Sequence, residues 1–185
     1  MRIISGKHKH RMFQIPKSFN ARPTTDFAKE NLFNILNNIM DFKDIVALDL
    51  FSGTGSISFE LISRGAKNVL AVEQRREHVL FIKEVAKKLK EENKIKVIPA
   101  DVFSFISKYK YKTTFDFVFA DPPYKLTNID ELPQLIFSSG ILNNDAILII
   151  EHSEKYSFSD NRFFIDHRVY GSVNFSFFKY DNKQI

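Results

Sequence analysis

Five short apolar runs, separated by segments with helical periodicity, constrain the fold of this chain more than any other feature. They begin at residue 45 and read IVALDLF, NVLAVE, IKVIPA, FDFVFA and DAILIIE. Strands that are apolar throughout are typical of a parallel sheet with both faces covered by helices. The intervening segments predict those helices, and RREHVLFIKEVAKKLKEEN has an apolar stripe at helical spacing. The sequence therefore predicts an α/β fold built on a mostly parallel sheet.

The two ends of the chain depart from this alternation. Near the start, MRIIS and RMFQI flank the polar, glycine-led turn GKHKH and predict a β-hairpin. Near the end, RFFIDHRVY and SVNFSFFKY surround Gly171 and predict two antiparallel strands at one side of the sheet. We therefore expect a single domain over residues 1–185, in which residues 1–22 form the hairpin and its connector.

An amphipathic helix is predicted between the hairpin and the first buried strand. The segment TTDFAKENLFNILNNIM repeats apolar residues at helical spacing, from Phe27 to Met40. Thr24 or Thr25 can cap the first turn of this helix. We expect its apolar face, which includes Phe27 and Ile39, to be buried.

The basic residues are concentrated at the start of the chain. The first 22 positions hold six Lys or Arg residues and no Asp or Glu. The remaining positions hold 21 basic and 22 acidic residues, so the net charge of +5 comes from the first segment. Clustered cations are typical of proteins that bind a phosphate backbone, although a solvated basic tail has the same composition. The candidate contacts to nucleic acid are Lys7, Lys9, Arg11 and Arg22.

Composition also argues against several classes of protein. The chain has no cysteine, so it forms neither disulfides nor thiolate metal sites. No apolar run approaches the length needed to span a bilayer, and the basic start lacks the apolar stretch of a signal peptide. We expect a cytoplasmic monomer that has no membrane segment and no metal.

Polar residues occur where the predicted parallel strands end, and ligands bind beyond these carboxyl ends in an open parallel sheet. The first strand runs into DLFSGTGS, where Gly53 and Gly55 permit a tight turn and a close approach of the backbone to a ligand. The second strand ends in Glu73, at a distance from the glycines where an acidic side chain accepts hydrogen bonds from ribose hydroxyls. Asp101 follows the third strand, and Asp121 follows the fourth.

The residues at these strand ends favour a cationic nucleoside over a dinucleotide. Ser58 stands where the dinucleotide fingerprint has its third glycine, and the neighbouring acids would repel a phosphate. S-adenosyl-L-methionine (SAM), a nucleoside with a sulfonium and an amino group, fits such a site better. Two other interpretations remain open, a solvated strand-end acid for Glu73 and a helix N-cap for Asp101. The candidate cofactor-binding residues are Asp49, Phe51, Gly53, Gly55, Glu73, Asp101 and Val102.

The fourth strand leaves the core at the sequence DPPY, which comprises Asp121, Pro122, Pro123 and Tyr124. Two successive prolines fix φ and lack an N–H, so they form a rigid corner. The Asp121 carboxylate and the Pro122 carbonyl can together accept the two N–H groups of an exocyclic amino group, which orients its nitrogen toward a sulfonium methyl. Tyr124 offers an aromatic face to a base that has left its stack. These four residues are the candidate catalytic residues, although a plain strand-to-loop corner has the same sequence.

DLFSGTGS followed by DPPY resembles the amino-methyltransferases of the SAM-dependent, Rossmann-like superfamily. With MRIISGKHKHR and RPTTDFAKENLFNIL, nearly the whole chain is similar to the bacterial small-subunit ribosomal RNA methyltransferases that modify the N2 amino group of guanine 966 in 16S RNA. The resemblance implies a seven-stranded sheet with antiparallel last strands, SAM at the strand ends, the target base at DPPY and a hairpin that grips RNA. It makes 16S ribosomal RNA, in small-subunit particles, the expected partner. Arg22, in RPTT, is then a clamp on a phosphate or on the cofactor carboxylate, unless it is an exposed loop arginine.

Two other functions remain open from the sequence. An adenine-N6 methyltransferase shares the DPPY motif because adenine also presents two amino N–H donors, although the chain has no spare length for a large recognition module. A non-catalytic RNA-binding module would have kept a degenerate nucleoside pocket. Glu151 and His152 follow the fifth strand without an assigned chemistry, and we expect His152 to be a hydrogen-bonded or surface histidine.

Overall fold

The computed structural model describes residues 1–19, 25–109 and 113–180. The strands of its sheet are β1 (Val46–Leu50), β2 (Asn68–Glu73), β3 (Ile95–Pro99), β4 (Phe115–Ala120), β5 (Leu142–His152), β6 (Phe164–Tyr170) and β7 (Val173–Phe178). They form one seven-stranded sheet in the order β3-β2-β1-β4-β5-β7-β6. Strands β1 to β5 pair in parallel, whereas β7 pairs antiparallel with β5 and with β6. The predicted Rossmann-like α/β fold with antiparallel last strands is confirmed.

Helices cover both faces of this sheet, as predicted. They are α1 (Asp26–Ile39), α2 (Ser56–Ser63), α3 (Arg76–Leu89), α4 (Val102–Lys108) and α5 (Leu132–Ser138), the last preceded by a 3-10 turn over Ile129–Glu131. The apolar residues of α1, α2 and α3 pack in one core layer, and those of α4 and α5 pack in the other. No helix within the described ranges is long and apolar enough to cross a bilayer.

Alternation along the strands determines which layer each side chain joins. In β4, Phe117 and Phe119 join the layer under α1 to α3, whereas Val118 and Ala120 join the layer under α4 and α5. The neighbouring strands β1, β2 and β5 alternate in the same way. The same alternation therefore determines on which face of the sheet a polar residue at the end of one of these strands lies.

The N-terminal hairpin has less regular strand pairing than predicted. Backbone hydrogen bonds pair residues 1–3 with residues 10–13, for example from Ile3 N to the Arg11 oxygen at 3.0 Å. Only Arg2 and Met12 form a ladder bridge, so the two arms are not regular strands. The hairpin does not extend the sheet: the amides of Ile4 and Ser5 donate to Glu60 of α2, and the Arg2 oxygen accepts from Lys29 Nζ of α1.

Close packing on α2 fixes the position of the hairpin. Ile3 is fully buried in the layer under α1 to α3. Gly6 has φ of +79°, and a Cβ at this position would stand 1.8 Å from the carbonyl oxygen of Ser63. Only glycine satisfies both the backbone conformation and this contact.

The predicted cap and apolar face of α1 are confirmed only in part. Thr25 is the N-cap, and its side chain accepts a hydrogen bond from Ala28 N at 3.1 Å; Thr24 lies outside the described residues. Phe27 and Ile39, predicted to be buried, are 64% and 50% exposed. The buried stripe of the helix runs through Ala28, Leu32, Phe33 and Leu36, and Phe27 and Ile39 lie beside it.

Candidate active site

Acidic side chains lie at the carboxyl ends of four adjacent strands. Glu73, Asp49, Asp121 and Glu151 belong to, or directly follow, β2, β1, β4 and β5, which are neighbours in that order. Alternation places all four on the α1–α3 face of the sheet. Among the described residues, no group of three His, Asp or Glu side chains can hold a metal ion. We call these four residues the acidic row.

The loop between β1 and α2 is tied to Glu73. Gly53 N donates to Glu73 Oε2 at 2.8 Å, and Arg75 N donates to Oε1 at 2.7 Å. Gly55 is the N-cap of α2 with φ of +74°, and a Cβ on it would stand 3.0 Å from Ile82. The glycines that the sequence singled out thus hold the first turn of α2 beside the acidic row.

Asp49 is buried and accepts two hydrogen bonds, both from Ser58. Asp49 Oδ2 accepts from the Ser58 amide at 3.1 Å and from the Ser58 hydroxyl at 2.5 Å. Burial raises the pKa of Asp49 to about 7, the hydrogen bonds from Ser58 oppose this rise, and the charge of Glu73 adds to it. Ser58 stands where the dinucleotide fingerprint has its third glycine. Here it holds the side chain of Asp49 in place by two hydrogen bonds.

Asp121 extends the ladder of β4 by one residue, since its amide donates to the Leu50 oxygen at 3.3 Å. The residue is half-buried. Burial raises the pKa of Asp121 well above its ordinary value, and the charges of Glu151 and Asp49 raise it further. This carboxyl group therefore holds a proton more firmly than an exposed aspartate does.

The rest of the DPPY corner leads from the core to the surface. Pro122 is buried and Pro123 is exposed, while Tyr124 is 64% exposed. The loop then turns back through a hydrogen bond from Leu126 N to the Pro123 oxygen at 2.8 Å. The hydroxyl of Tyr156 donates to the Leu126 oxygen at 2.8 Å and fixes the loop to the segment after β5. The loop after Asp121 thus carries a tyrosine that is largely exposed.

Glu151 is the member of the acidic row to which the sequence assigned no role. The register pairs Ala120 with Ile150, so Asp121 and Glu151 follow paired residues on adjacent strands. Glu151 is 5% exposed. The signal that could have found it is the same one that found Asp121, an acid at the end of an apolar strand.

His152 agrees with the expectation of a hydrogen-bonded histidine. Its Nδ1 lies 2.9 Å from the Ser153 oxygen, and its Nε2 lies 2.8 Å from Ser176 Oγ. Burial lowers the pKa of His152, and the hydrogen bond to Ser153 opposes this effect. A neutral ring that donates from Nδ1 and accepts at Nε2 satisfies both contacts.

Three other candidate cofactor residues occupy the ends of β1 and β3. Asp101 is the N-cap of α4, and its Oδ1 accepts from Ser104 N at 2.9 Å. Val102 is buried in the first turn of α4. Phe51 directly follows β1 with φ of +58° and is half-buried. The interpretation of Asp101 as a helix N-cap is confirmed. A contact between its second carboxylate oxygen and the cofactor stays a prediction.

The candidate RNA contacts lie away from the acidic row. Helix α2 begins at the row and ends at Ser63, whose oxygen accepts from the Lys7 amide at 2.7 Å. A helix of eight residues is about 12 Å long, so the hairpin turn lies that far from the strand ends. Lys9 and Arg11 are exposed there. Arg22 lies outside the described residues.

Lys7 is held by a carboxylate of the protein. Its Nζ donates to Glu91 Oε1 at 2.7 Å, and His8 Nε2 lies 2.8 Å from the same oxygen. Burial alone would raise the pKa of Glu91, but these hydrogen bonds and the charge of Lys94 lower it. The charge of the Lys7 ammonium is thus partly neutralised by Glu91 within the protein itself.

A second buried carboxylate, Glu60 of α2, binds the first arm of the hairpin. It accepts from Ile4 N at 2.7 Å, from Ser5 N at 3.0 Å and from Arg64 Nε at 2.8 Å. Lys29 Nζ lies 4.0 Å from Glu60 Oε2. Sequence reasoning missed this cluster, although the single charge in the apolar helix SISFELIS was a signal for it.

A cavity of about 740 Å³ lies elsewhere, on the side of the sheet that α4 covers. Its lining combines apolar residues such as Leu70, Ile98 and Phe105 with lysines such as Lys67 and Lys96, and none of the residues of the acidic row borders it. The cavity is therefore separate from the candidate site at the strand ends.

Comparison with known proteins assigns the family. A family model described as conserved hypothetical protein 95 matches residues 1–179. The chain is 34% identical over 151 residues to ribosomal RNA small subunit methyltransferase D of Buchnera aphidicola subsp. Baizongia pistaciae, which covers 82% of this chain and 75% of that protein. The chain belongs to the methyltransferase D family. Methyltransferase D of Escherichia coli strain K12 is 33% identical over 152 residues, or 82% of this chain and 74% of that protein.

A solved structure supports the same relationship. The structure of yhhF from Escherichia coli is 28% identical in sequence, has a TM-score of 0.81 and covers 96% of both chains. The resemblance predicted from DLFSGTGS and DPPY is therefore confirmed at the level of the methyltransferase D family.

Proposed function

We propose that this protein transfers a methyl group from SAM to 16S ribosomal RNA of the small subunit, at the N2 amino group of a guanine that corresponds to position 966. The observation that carries the proposal is the position of Asp121, at the end of β4 between Asp49 and Glu151. The names of the relatives in the methyltransferase D family support ribosomal RNA as the substrate.

The residues at the strand ends fit SAM as the cofactor. A Cβ on Gly53 would meet only a backbone oxygen, at 3.9 Å, so the loop is open above this position. Each Glu73 carboxylate oxygen already accepts one hydrogen bond and retains capacity for a second, so the carboxylate can accept from a ribose hydroxyl. Asp49 favours a cation, and Asp101, Val102 and Phe51 would line the nucleoside. The bound cofactor would supply a methyl group on a positively charged sulfur.

Asp121 and the Pro122 carbonyl are proposed to hold the target amino group. Each accepts one N–H, so the nitrogen lone pair is turned out of conjugation with the base and toward the methyl. As the N–C bond forms, the C–S bond of the cofactor would break and S-adenosyl-L-homocysteine would leave. The nitrogen becomes acidic only at this stage, and the carboxylate of Asp121 would stabilise its positive charge and then accept its proton. Tyr124 would stack on the base, and Pro123 would keep the corner rigid.

Glu151 is the feature that favours guanine over adenine. The Watson–Crick edge of guanine presents an N1–H donor beside the N2 amino group, whereas adenine presents an N1 lone pair beside N6. A carboxylate on the strand next to Asp121 can accept from the guanine N1–H and repels the adenine lone pair. The two carboxylates and the Pro122 carbonyl would therefore match the three donors of guanine.

We also propose that residues 1–22 form an RNA-binding extension of a single cytoplasmic domain that acts as a monomer on small-subunit particles. Burial of Ile3 in the core supports one cooperative unit. Lys9 and Arg11 are exposed for phosphate contacts, with Arg11 placed 6.0 Å above the ring of Phe13.

The test is nucleoside analysis by mass spectrometry after incubation with SAM, on naked 16S RNA and on small-subunit particles that lack the modification. We expect N2-methylguanosine at one position, with Asp121→Asn as the inactive control. Methyl groups on adenine alone would assign the protein to the adenine-N6 class. An absence of methylation together with an absence of SAM binding by calorimetry would favour a non-catalytic RNA-binding module.

A further inference from the structure

His78 is a buried histidine in the first turn of α3, where it is 2% exposed. Its Nδ1 and Nε2 are inaccessible to water, and neither has a hydrogen-bond partner among residues 1–19, 25–109 and 113–180. Buried polar groups are nearly always paired, so an unpaired ring at the rim of a candidate site points to a partner that is engaged in another state of the site.

The carboxylate of Glu73 lies close to this ring. His78 Nδ1 lies 3.8 Å from Glu73 Oε2, beyond hydrogen-bonding distance. A movement of about 1 Å would bring the two atoms to hydrogen-bonding distance. Glu73 Oε2 can take this bond in addition to the one from Gly53 N, since a carboxylate oxygen has two acceptor sites.

Phe19 seals this pair from solvent. Its ring centroid lies 4.2 Å from that of His78 with a tilt of 37°, and its edge packs against Phe81 at 5.5 Å. Phe19 belongs to the segment that follows the hairpin, so the N-terminal part of the chain covers the back of the Glu73 site. A hydrogen bond to a carboxylate is stronger when water is excluded.

We propose that His78 is a positioning residue, which donates from Nδ1 to Glu73 when the cofactor binds and aligns that carboxylate with a ribose hydroxyl. The proposal rests on the role of Glu73 in the proposed function. The ring acts through Glu73 and does not touch the ligand, because Phe19 and the body of α3 leave neither nitrogen accessible. Phe19 is then part of the cofactor site, although it lies in the N-terminal segment.

The experiment compares calorimetric affinities for S-adenosyl-L-homocysteine (SAH) and for its 2′-deoxy and 3′-deoxy analogues. His78→Leu keeps an apolar contact with Phe19 and removes the donor, so SAH should bind about tenfold more weakly. The loss should disappear for the analogue that lacks the hydroxyl held by Glu73. His78→Asn, whose amide N–H₂ stands near the place of Nδ1, should restore most of the affinity for SAH.

Equal losses for all three ligands would show that His78 only fills space, and no loss for any of them would also overturn the proposal. Leu80→Ala, which changes an exposed residue two positions along α3, is the matched control and should bind like the wild type. Replacing Phe19 by Ala should weaken SAH binding in the wild type and have little further effect in the His78→Leu background. If the losses of SAH affinity in the two single variants add up in the double variant, Phe19 does not act together with His78.

Glu73→Gln separates this inference from the proposed function. If Glu73→Gln keeps the wild-type preference for SAH over both deoxy analogues, Glu73 does not hold the ribose. The role of Glu73 in the proposed function and the inference about His78 are then both overturned. If Glu73→Gln loses that preference and His78→Leu keeps it, only the inference is overturned.

Discussion

Burial and the charge of neighbouring carboxylates raise the pKa of two side chains in the acidic row, Asp49 and Asp121. Asp49 is almost completely buried, and its pKa rises to about 7 although Ser58 donates two hydrogen bonds to it. Asp121 feels the charges of both Glu151 and Asp49. A cation placed among these groups would relieve the repulsion, so we expect the row to favour a positively charged ligand.

Replacing Asp121 by Asn should separate chemistry from cofactor binding. The amide keeps the shape of the side chain but loses the charge that stabilises the developing ammonium, so we expect a loss of about 100-fold or more in kcat. The affinity for SAH in calorimetry should stay within about threefold of the wild type, since the partner of Asp121 is the base.

Asp130→Asn, at an exposed acid in the 3-10 turn, is the control and should leave both quantities unchanged. A parallel loss of SAH affinity in Asp121→Asn would contradict the assignment of this carboxylate to the amino group.

Glu151→Gln should reduce the selection of guanine. The neutral amide can donate to an adenine lone pair as well as accept from the guanine N1–H, so we expect kcat/KM on the guanine substrate to fall about tenfold with little change in SAH affinity. Single-turnover methylation of RNA fragments with guanine or adenine at the target position measures both effects. An unchanged ratio of guanine to adenine methylation would exclude Glu151 from base recognition.

The raised pKa of Asp49 makes the stability of the ligand-free protein depend on pH. The folded state binds its proton up to about pH 7, whereas the unfolded chain releases it near the ordinary value of 3.8. The folded protein therefore binds more protons across this interval, and the free energy of unfolding falls as the pH rises through it, by up to about 1.4 kcal/mol per pH unit for one group. Urea unfolding at pH 5, 6 and 7 should show a smaller slope for Asp49→Asn, and equal slopes would refute the assignment.

At the scale of the elements, the strands could be predicted because their apolar runs reflect burial on both faces. The acids at the strand ends followed from the same pattern, and Asp49, Glu73 and Asp121 do lie on one face. The anchoring of the hairpin could not be predicted, because Glu60 and Glu91 are buried only when the hairpin packs on α2 and α3. A single charged residue in a helix does not reveal whether a distant segment will donate hydrogen bonds to it.

Glu60 should be among the most costly residues of α2 to remove. Glu60→Ala leaves two hairpin amides unpaired and Arg64 and Lys29 without their carboxylate, so we expect a loss of about 3–5 kcal/mol in the free energy of unfolding by urea. Glu84→Ala, at an exposed i,i+4 pair with Lys88, should cost less than about 0.5 kcal/mol. Similar losses in the two variants would contradict the anchoring role of Glu60.

At the scale of the whole molecule, we expect the docked hairpin to contact RNA phosphates and the acidic row to bind the cofactor. Lys9 and Arg11 are exposed, whereas Lys7 is paired with Glu91. The double variant Lys9→Ala, Arg11→Ala should therefore reduce the slope of log affinity against log salt by about 1.4–1.8, and Lys7→Ala should reduce it by less. Fluorescence anisotropy with a 16S fragment at several salt concentrations measures these slopes.

Lys179→Ala, at a residue paired with Asp145, serves as the control for the salt titration. If the double variant keeps the wild-type slope, the hairpin does not contact RNA phosphates, and the candidate RNA surface must be sought elsewhere on the protein.

Helix α2 has Gly55 at its first end, beside the acidic row, and Ser63 at its last, where the hairpin turn is docked. An α-helix is stiff along its axis, so α2 fixes the distance between its two ends at about 12 Å. If the hairpin binds RNA as proposed, we expect the target nucleobase to lie at this distance from the phosphates that the hairpin holds. The length of α2 would then contribute to the choice of one nucleotide among many identical ones.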